Sequence, residues 1–157
     1  MKATFLAAVL ALGLLSGPVY AAANPSAVAL TGSVQLEKTV TVDGTSRIEL
    51  VEPKVVVPGD RLLFTTSYRN DSAAAVTDFV VTNPVPGAVV VSPDALNSVE
   101  VSVDGGKTWG LIAALKVADG KGGLRAALAA DATHLRWTIP SIAPGASGKV
   151  EYHAIVR

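Results

Sequence analysis

Few side chains in this sequence are equipped for reaction chemistry. It holds 2 histidines, His134 and His153, and no cysteine. The absent thiols exclude disulfides, thiol catalysis, zinc-thiolate sites and iron–sulfur clusters. Two isolated histidines fall short of the roughly three or four ligands that a zinc site draws. His134 shares a strand face with Arg136 and Thr138, and His153 shares one with Glu151, so both read as surface residues. A serine–histidine–aspartate triad needs a positioned serine, and no G-x-S-x-G elbow occurs. No local pattern selects the paired carboxylates of a glycosidase. Gly120-Lys121-Gly122-Gly123 lacks the G-K-[ST] ending of a phosphate loop. The reading is a non-enzymatic protein with no cofactor and no metal. An enzyme would instead require His134 or His153 hydrogen-bonded to a buried carboxylate inside a cleft.

One run does stand out. Ser102-Val103-Asp104-Gly105-Gly106-Lys107-Thr108-Trp109 matches S-x-D-x-G-x-T-W, and so resembles the Asp-box of sialidases and many β-propellers. In that pattern the aspartate accepts backbone N–H groups inside a turn. Gly106 can take a positive φ, and Trp109 can cover the hairpin. A propeller carries several copies and this chain carries one. The expectation is a structural turn built on Asp104 and Gly106. The alternative is a small carbohydrate-binding module, with the flat ring of Trp109 as the ligand contact.

The remaining polar signals are turn signals. Pro58-Gly59-Asp60 combines a preset φ, a residue free to take positive φ and a side chain that caps its own backbone. Asp43, Asp60, Asp71, Asp94 and Asp104 all fall between apolar runs. Loop carboxylates clustered at one end of a sandwich can bind calcium, but no D-x-D spacing occurs, and turn capping is the reading. Asn70-Asp71-Ser72 has the N-x-S form, and the simple export signal described below argues against glycosylation. Lys54, before the Pro-Gly-Asp turn, has no identifiable partner for an isopeptide link.

The elements that would position these residues are short strands. Val34, Leu36, Val40 and Val42 alternate with Gln35, Glu37, Thr39 and Thr41, the period of a half-buried strand. Asp43-Gly44 is a hairpin pair. Ile48 to Val57 is rich in β-branched residues and ends at Pro58. Leu62, Phe64, Thr66 and Tyr68 alternate, as do Phe79 and Val81. Prolines in Asn83-Pro84-Val85-Pro86 bar a central strand there. Ala88 to Val91 and Val99 to Val103 read as further strands. Leu111 to Val117 reads equally as strand or helix, and Leu124 to Ala130 as one short helical turn. Leu135, Trp137 and Ile139 place Trp137 inward. Val150, Tyr152, Ala154 and Val156 form the closing strand. Turn signals every 8–15 residues, without a long amphipathic helix, predict an all-β antiparallel sandwich of about 7–9 strands.

Composition narrows the setting. The 157 residues are half apolar and carry 13 basic and 13 acidic side chains, a formal net charge of zero. That balance excludes the basic footprint of a nucleic-acid binder. Met1-Lys2, the apolar run Phe5–Leu15 and the small residues Val19–Ala23 have the three-part layout of a signal peptide. Cleavage is expected after Ala21 or Ala23. The run is shorter than the roughly 20 residues that span a bilayer, and no later stretch is long enough. The expected organisation is signal peptide 1–23, a loose leader 24–33 and one sandwich domain 34–157, exported to the periplasm or the cell exterior.

The order Val55-Val56-Val57-Pro58-Gly59-Asp60, a strand ending Tyr68-Arg69-Asn70, then Asn83-Pro84-Val85-Pro86, resembles a bacterial surface repeat. That family is the immunoglobulin-like domain of unknown function eleven. Ile142-Ala143-Pro144-Gly145-Ala146 before the last strand fits the same pattern. Ser102–Thr108 and His134-Leu135-Arg136-Trp137 resemble its single-copy, signal-bearing forms. The likeness runs from about Val34 to Arg157, with Asn83 where family members carry aspartate. It implies an immunoglobulin-like β-sandwich in an extracytoplasmic setting, and it carries no activity or ligand. The expected function is a structural or interaction module of the cell envelope. Its partner is expected to be an envelope protein or glycan.

Overall fold

The computed structural model describes residues 27–157. The apolar run Phe5–Leu15 and the cleavage positions Ala21 and Ala23 lie outside the described residues. The strands are β1 (Val28–Val42), β2 (Thr45–Val51), β3 (Arg61–Asn70), β4 (Val76–Pro84) and β5 (Val89–Val91). They continue with β6 (Glu100–Ser102), β7 (Lys116–Ala118), β8 (Leu124–Ala126), β9 (His134–Ile142) and β10 (Ser147–Val156). A 5-stranded sheet has the order β2-β1-β3-β10-β5, a 3-stranded sheet the order β4-β9-β6, and β7-β8 stands apart as a hairpin. Every pairing is antiparallel. The chain is an all-β sandwich. Its strand order differs from that of antibody-type domains, which put the last strand beside the penultimate one. Here β10 lies between β3 and β5, in the sheet opposite β9.

The two layers face each other over only part of their width. Asn83 Nδ2 of β4 donates to Thr66 Oγ1 of β3 at 2.8 Å. The Trp137 ring of β9 stacks 6.2 Å from Tyr152 of β10. So β4 lies over β3 and β9 over β10. Gly32, Ser33 and Val34 of β1 lie beside Asn83 and Pro84 of β4, and Leu36 packs on the core, while the turn end of the β1–β2 hairpin is largely exposed. The core follows that overlap: Val91, Val101, Leu135 and Ala154 are all 0% exposed. Burying one such Val or Leu side chain is worth about 1.5–3 kcal/mol. Phe64 and Trp137 pack against this cluster, as their inward parity predicts. Phe64 and Tyr152 stack with centroids 4.8 Å apart. Burial pushes the Tyr152 phenol up to about 12.

Several expectations shift. The leader expected at 24–33 is strand from Val28 onward, because Val28–Ser33 pair with Thr65–Asn70 of β3. Thr31, Gly32 and Ser33 have no apolar alternation, so the neighbouring strand supplies the order and the local sequence does not. The run Ile48–Val57 is strand only to Val51. Pro53 lacks an amide donor, and the stretch from Glu52 carries the chain from β2 to β3. Asp43 and Gly44 hold φ values of 50° and 77°, the two positive angles of a type I′ hairpin turn. Leu111–Val117 divides into a 3-10 turn at Ile112–Ala114 and β7. Leu124–Ala130, expected as a helical turn, begins as β8, with the turn at Ala129–Asp131. Pro84 ends β4, an edge strand, where a missing donor is tolerated.

Candidate functional site

The Asp-box closes a hairpin at the end of β6. Val101 bridges back to Gly110 with hydrogen bonds of 2.8 and 3.1 Å. Ser102, fully buried, donates its hydroxyl to Asp104 Oδ1 at 2.7 Å. The same hydroxyl accepts Gly106 N–H at 2.8 Å. Asp104 Oδ1 also accepts the amides of Lys107 and Thr108 at 3.1 and 2.9 Å. Asp104 Oδ2 takes the Thr108 hydroxyl at 2.7 Å. Donation by the Thr108 amide, then by the Thr108 and Ser102 hydroxyls, holds the Asp104 carboxyl well below the usual carboxylate range. Gly105 and Gly106 sit at φ 77° and 87°, a conformation that side chains strain. Both oxygens of Asp104 serve this turn.

Trp109 lies half-buried on the outer face of the smaller sheet. Its Nε1 donates to the Gly106 carbonyl at 3.1 Å. The Arg136 guanidinium rests 4.3 Å from its ring centroid. Arg136 in turn holds Glu100 through two 3.0 Å bonds. The His134 ring meets Trp109 edge-on at 6.3 Å, so His134 is half-buried rather than solvated. One ring face of Trp109 is thus already occupied by a cation, which limits it as a sugar-stacking platform. Pro58-Gly59-Asp60 forms the expected turn before β3: Gly59 has φ 94°, and Asp60 Oδ2 accepts Val57 N–H at 2.8 Å. Lys54 is exposed.

The structure also assembles what the sequence did not foretell. His153 Nε2 lies 2.8 Å from Glu37 Oε1, and Arg61 Nε donates to Glu37 Oε2 at 2.8 Å. The Glu37 side chain is only 10% exposed. These residues line a cleft of about 550 Å³ with Thr39, Ile48, Gly59 and Asp60. This is the histidine–carboxylate pair that an enzyme reading requires. Its lining contains one hydroxyl, Thr39, and neither serine nor cysteine. The pairing comes from β1, β3 and β10, strands far apart in sequence. Only the outward parity of Glu37, Arg61 and His153 hinted at it.

A second unforeseen node is Asn70, fully buried at the end of β3. Its Nδ2 donates to the Ala74 and Ile142 carbonyls at 2.7 and 2.9 Å. Its Oδ1 accepts Ser72 N–H and the Ser72 hydroxyl at 3.0 and 2.7 Å. The side chain ties the larger sheet to β9, and it is closed to a glycan. Asp43, Asp60, Asp71, Asp94 and Asp104 occupy separate turns. Among the described residues no three histidine or acidic side chains converge as metal ligands would. Among them, too, no helix is long and apolar enough to cross a membrane. The chain matches no protein-family model, no curated protein and no solved structure.

Proposed function

We propose that the chain is an exported, non-enzymatic β-sandwich of the immunoglobulin-like surface-repeat kind. It acts as an interaction module of the cell envelope. One observation carries this reading. Part of the exposed apolar surface lies on β2 and the segment after it, where Ile48 is 65% exposed, Leu50 45%, Val55 77% and Val57 55%; Leu111, Leu124 and Leu128 are exposed elsewhere on the chain. Exposed apolar side chains set among polar groups are available to a binding partner. The polar motif residues, by contrast, bond to one another.

The test is a photo-crosslinking residue at Val55 in the native cell, with Thr138 on the far sheet as control. Capture of an envelope protein or glycan at Val55 alone is the expected outcome. Equal capture at both positions removes the interaction reading. A native N-terminus that still begins at Met1 removes export.

A second reading attaches to the Glu37–His153 pair: a cleft for a neutral polar ligand. It is favoured by the two side chains, Arg61 and His153, that fix Glu37 beside exposed Ile48. A ligand screen by thermal shift, repeated on His153→Ala, tests it. A shift that survives the substitution places the ligand elsewhere.

A further inference from the structure

We infer that β2 is a self-complementary edge through which two copies of this chain join into one continuous sheet. The argument begins at the hairpin turn. The two-residue turn at Asp43-Gly44 makes Val42 and Thr45 a hydrogen-bonded pair, and pairs then alternate along the ladder. Thr45, Arg47, Glu49 and Val51 therefore direct their backbone groups toward β1. Ser46, Ile48 and Leu50 direct theirs away from it, toward an edge with no strand beside it among the described residues. All three are exposed. Such an edge is a template for another strand.

The side chains select the partner by charge. Arg47 and Glu49 flank Ile48 on one face, now joined within the strand at 2.6 Å. An antiparallel pairing centred on Ile48 sets Arg47 of each copy opposite Glu49 of the other. These become non-hydrogen-bonded pairs, in which side chains approach most closely. On the other face, Ile48 meets Ile48, and Leu50 meets Ser46. The N–H and C=O of Ser46, Ile48 and Leu50 all find partners. Moving the centre to Arg47 or to Glu49 sets like charges opposite each other, so the register is specified by repulsion as well as attraction. The symmetry is a closed two-fold, which ends at two copies.

This inference rests on reading the β1–β2 region as the interacting surface, and it names the partner. The test is sedimentation of the protein in the form in which the cell holds it, across a concentration series. The expected result is a two-fold rise in mass as concentration increases. Arg47→Glu and Glu49→Arg should each remain at monomer mass. An equimolar mixture of those two variants should regain the doubled mass. One variant then presents two acidic side chains at these positions and the other two basic ones, and each acidic group faces a basic group across the edge. A wild-type chain that stays monomeric at every soluble concentration overturns the inference. So does a doubled mass that persists in either single variant. If the wild type is monomeric while Val55 still captures an envelope partner, self-pairing fails and the proposed function stands.

Discussion

The β6–β9 body and the β1–β2 arm carry the same alternating pattern and end in opposite environments. Val101 and Leu135, cross-strand partners in the body, are 0% exposed. Val34 and Val42, which keep the inward parity along β1, are 36% and 48% exposed. Period-2 spacing decides which side chains share a face. Whether that face meets another layer depends on the relative widths of two sheets, 5 strands against 3. A face without an opposing layer is marginal as structure and available as surface.

The sharpest way to break this contrast is to delete the same group from each region. Leu135→Ala opens a cavity in the fully buried cluster, and its expected cost is about 3 kcal/mol, within the range of such truncations. Equilibrium denaturation in urea measures it, read as a lower midpoint at constant slope. A cost below about 1 kcal/mol would mean that the body is no better packed than the arm.

Asn70→Ala comes next. It takes the Asn70 partner from the Ile142 carbonyl and the Ser72 N–H at a buried corner, while the Ser72 hydroxyl keeps its bond to the Ala74 carbonyl. Each stranded group costs about 1–3 kcal/mol where water cannot reach it. The same urea measurement should show a loss of about 2 kcal/mol, set by how much water enters the corner. Asn70→Asp keeps the acceptor toward Ser72 and loses the donor toward the two carbonyls. It should therefore fall at least as low as the alanine variant, and a milder loss would make Ser72 the dominant contact.

These two sites mark how far the sequence could be read. The sandwich was legible because strands such as β3, β9 and β10 alternate with a period of two, and the turns are written in Gly, Pro and Asp. The Asp-box was legible because its ligands lie within eight consecutive residues, Ser102 to Trp109. Asn70 looked like an ordinary turn residue, since its decisive contact, Ile142, is 72 positions away. The Glu37–Arg61–His153 cluster was hidden for the same reason. The start of β1 was hidden because Thr31-Gly32-Ser33 have no pattern of their own and take their order from β3.

Acid should separate the regions less strongly than truncation does. Asp104 is held below the usual carboxylate range, chiefly by the Thr108 amide. Asp131 is held down to about 2, first by its Arg125 hydrogen bonds and then by the Leu128 amide. A depressed folded-state pKa favours the ionised form, so the stability it gives is complete above the unfolded value of about 3.9. That stability is lost as pH falls from there through the folded values. The melting temperature should therefore drop steeply below about pH 4. Asp104→Asn should melt lower at neutral pH and show a shallower acid slope. An unchanged slope would mean that the box does not hold the hairpin in solution.

The smallest effect belongs to the arm. Leu50→Ala removes the same atoms as Leu135→Ala, but from a side chain already 45% exposed. Its expected cost is within about 0.5 kcal/mol when measured too dilute for association, since little surface changes environment. Amide exchange on the same sample supplies the local view. Ser46, Ile48 and Leu50 face an open edge and should exchange with little protection, while β9 amides require unfolding of the body. At concentrations where copies pair, those three amides should become protected and Leu50→Ala should begin to matter. A truncation that is silent in the monomer and costly in the dimer would tie the exposed apolar side chains of β2 to a partner strand at its edge.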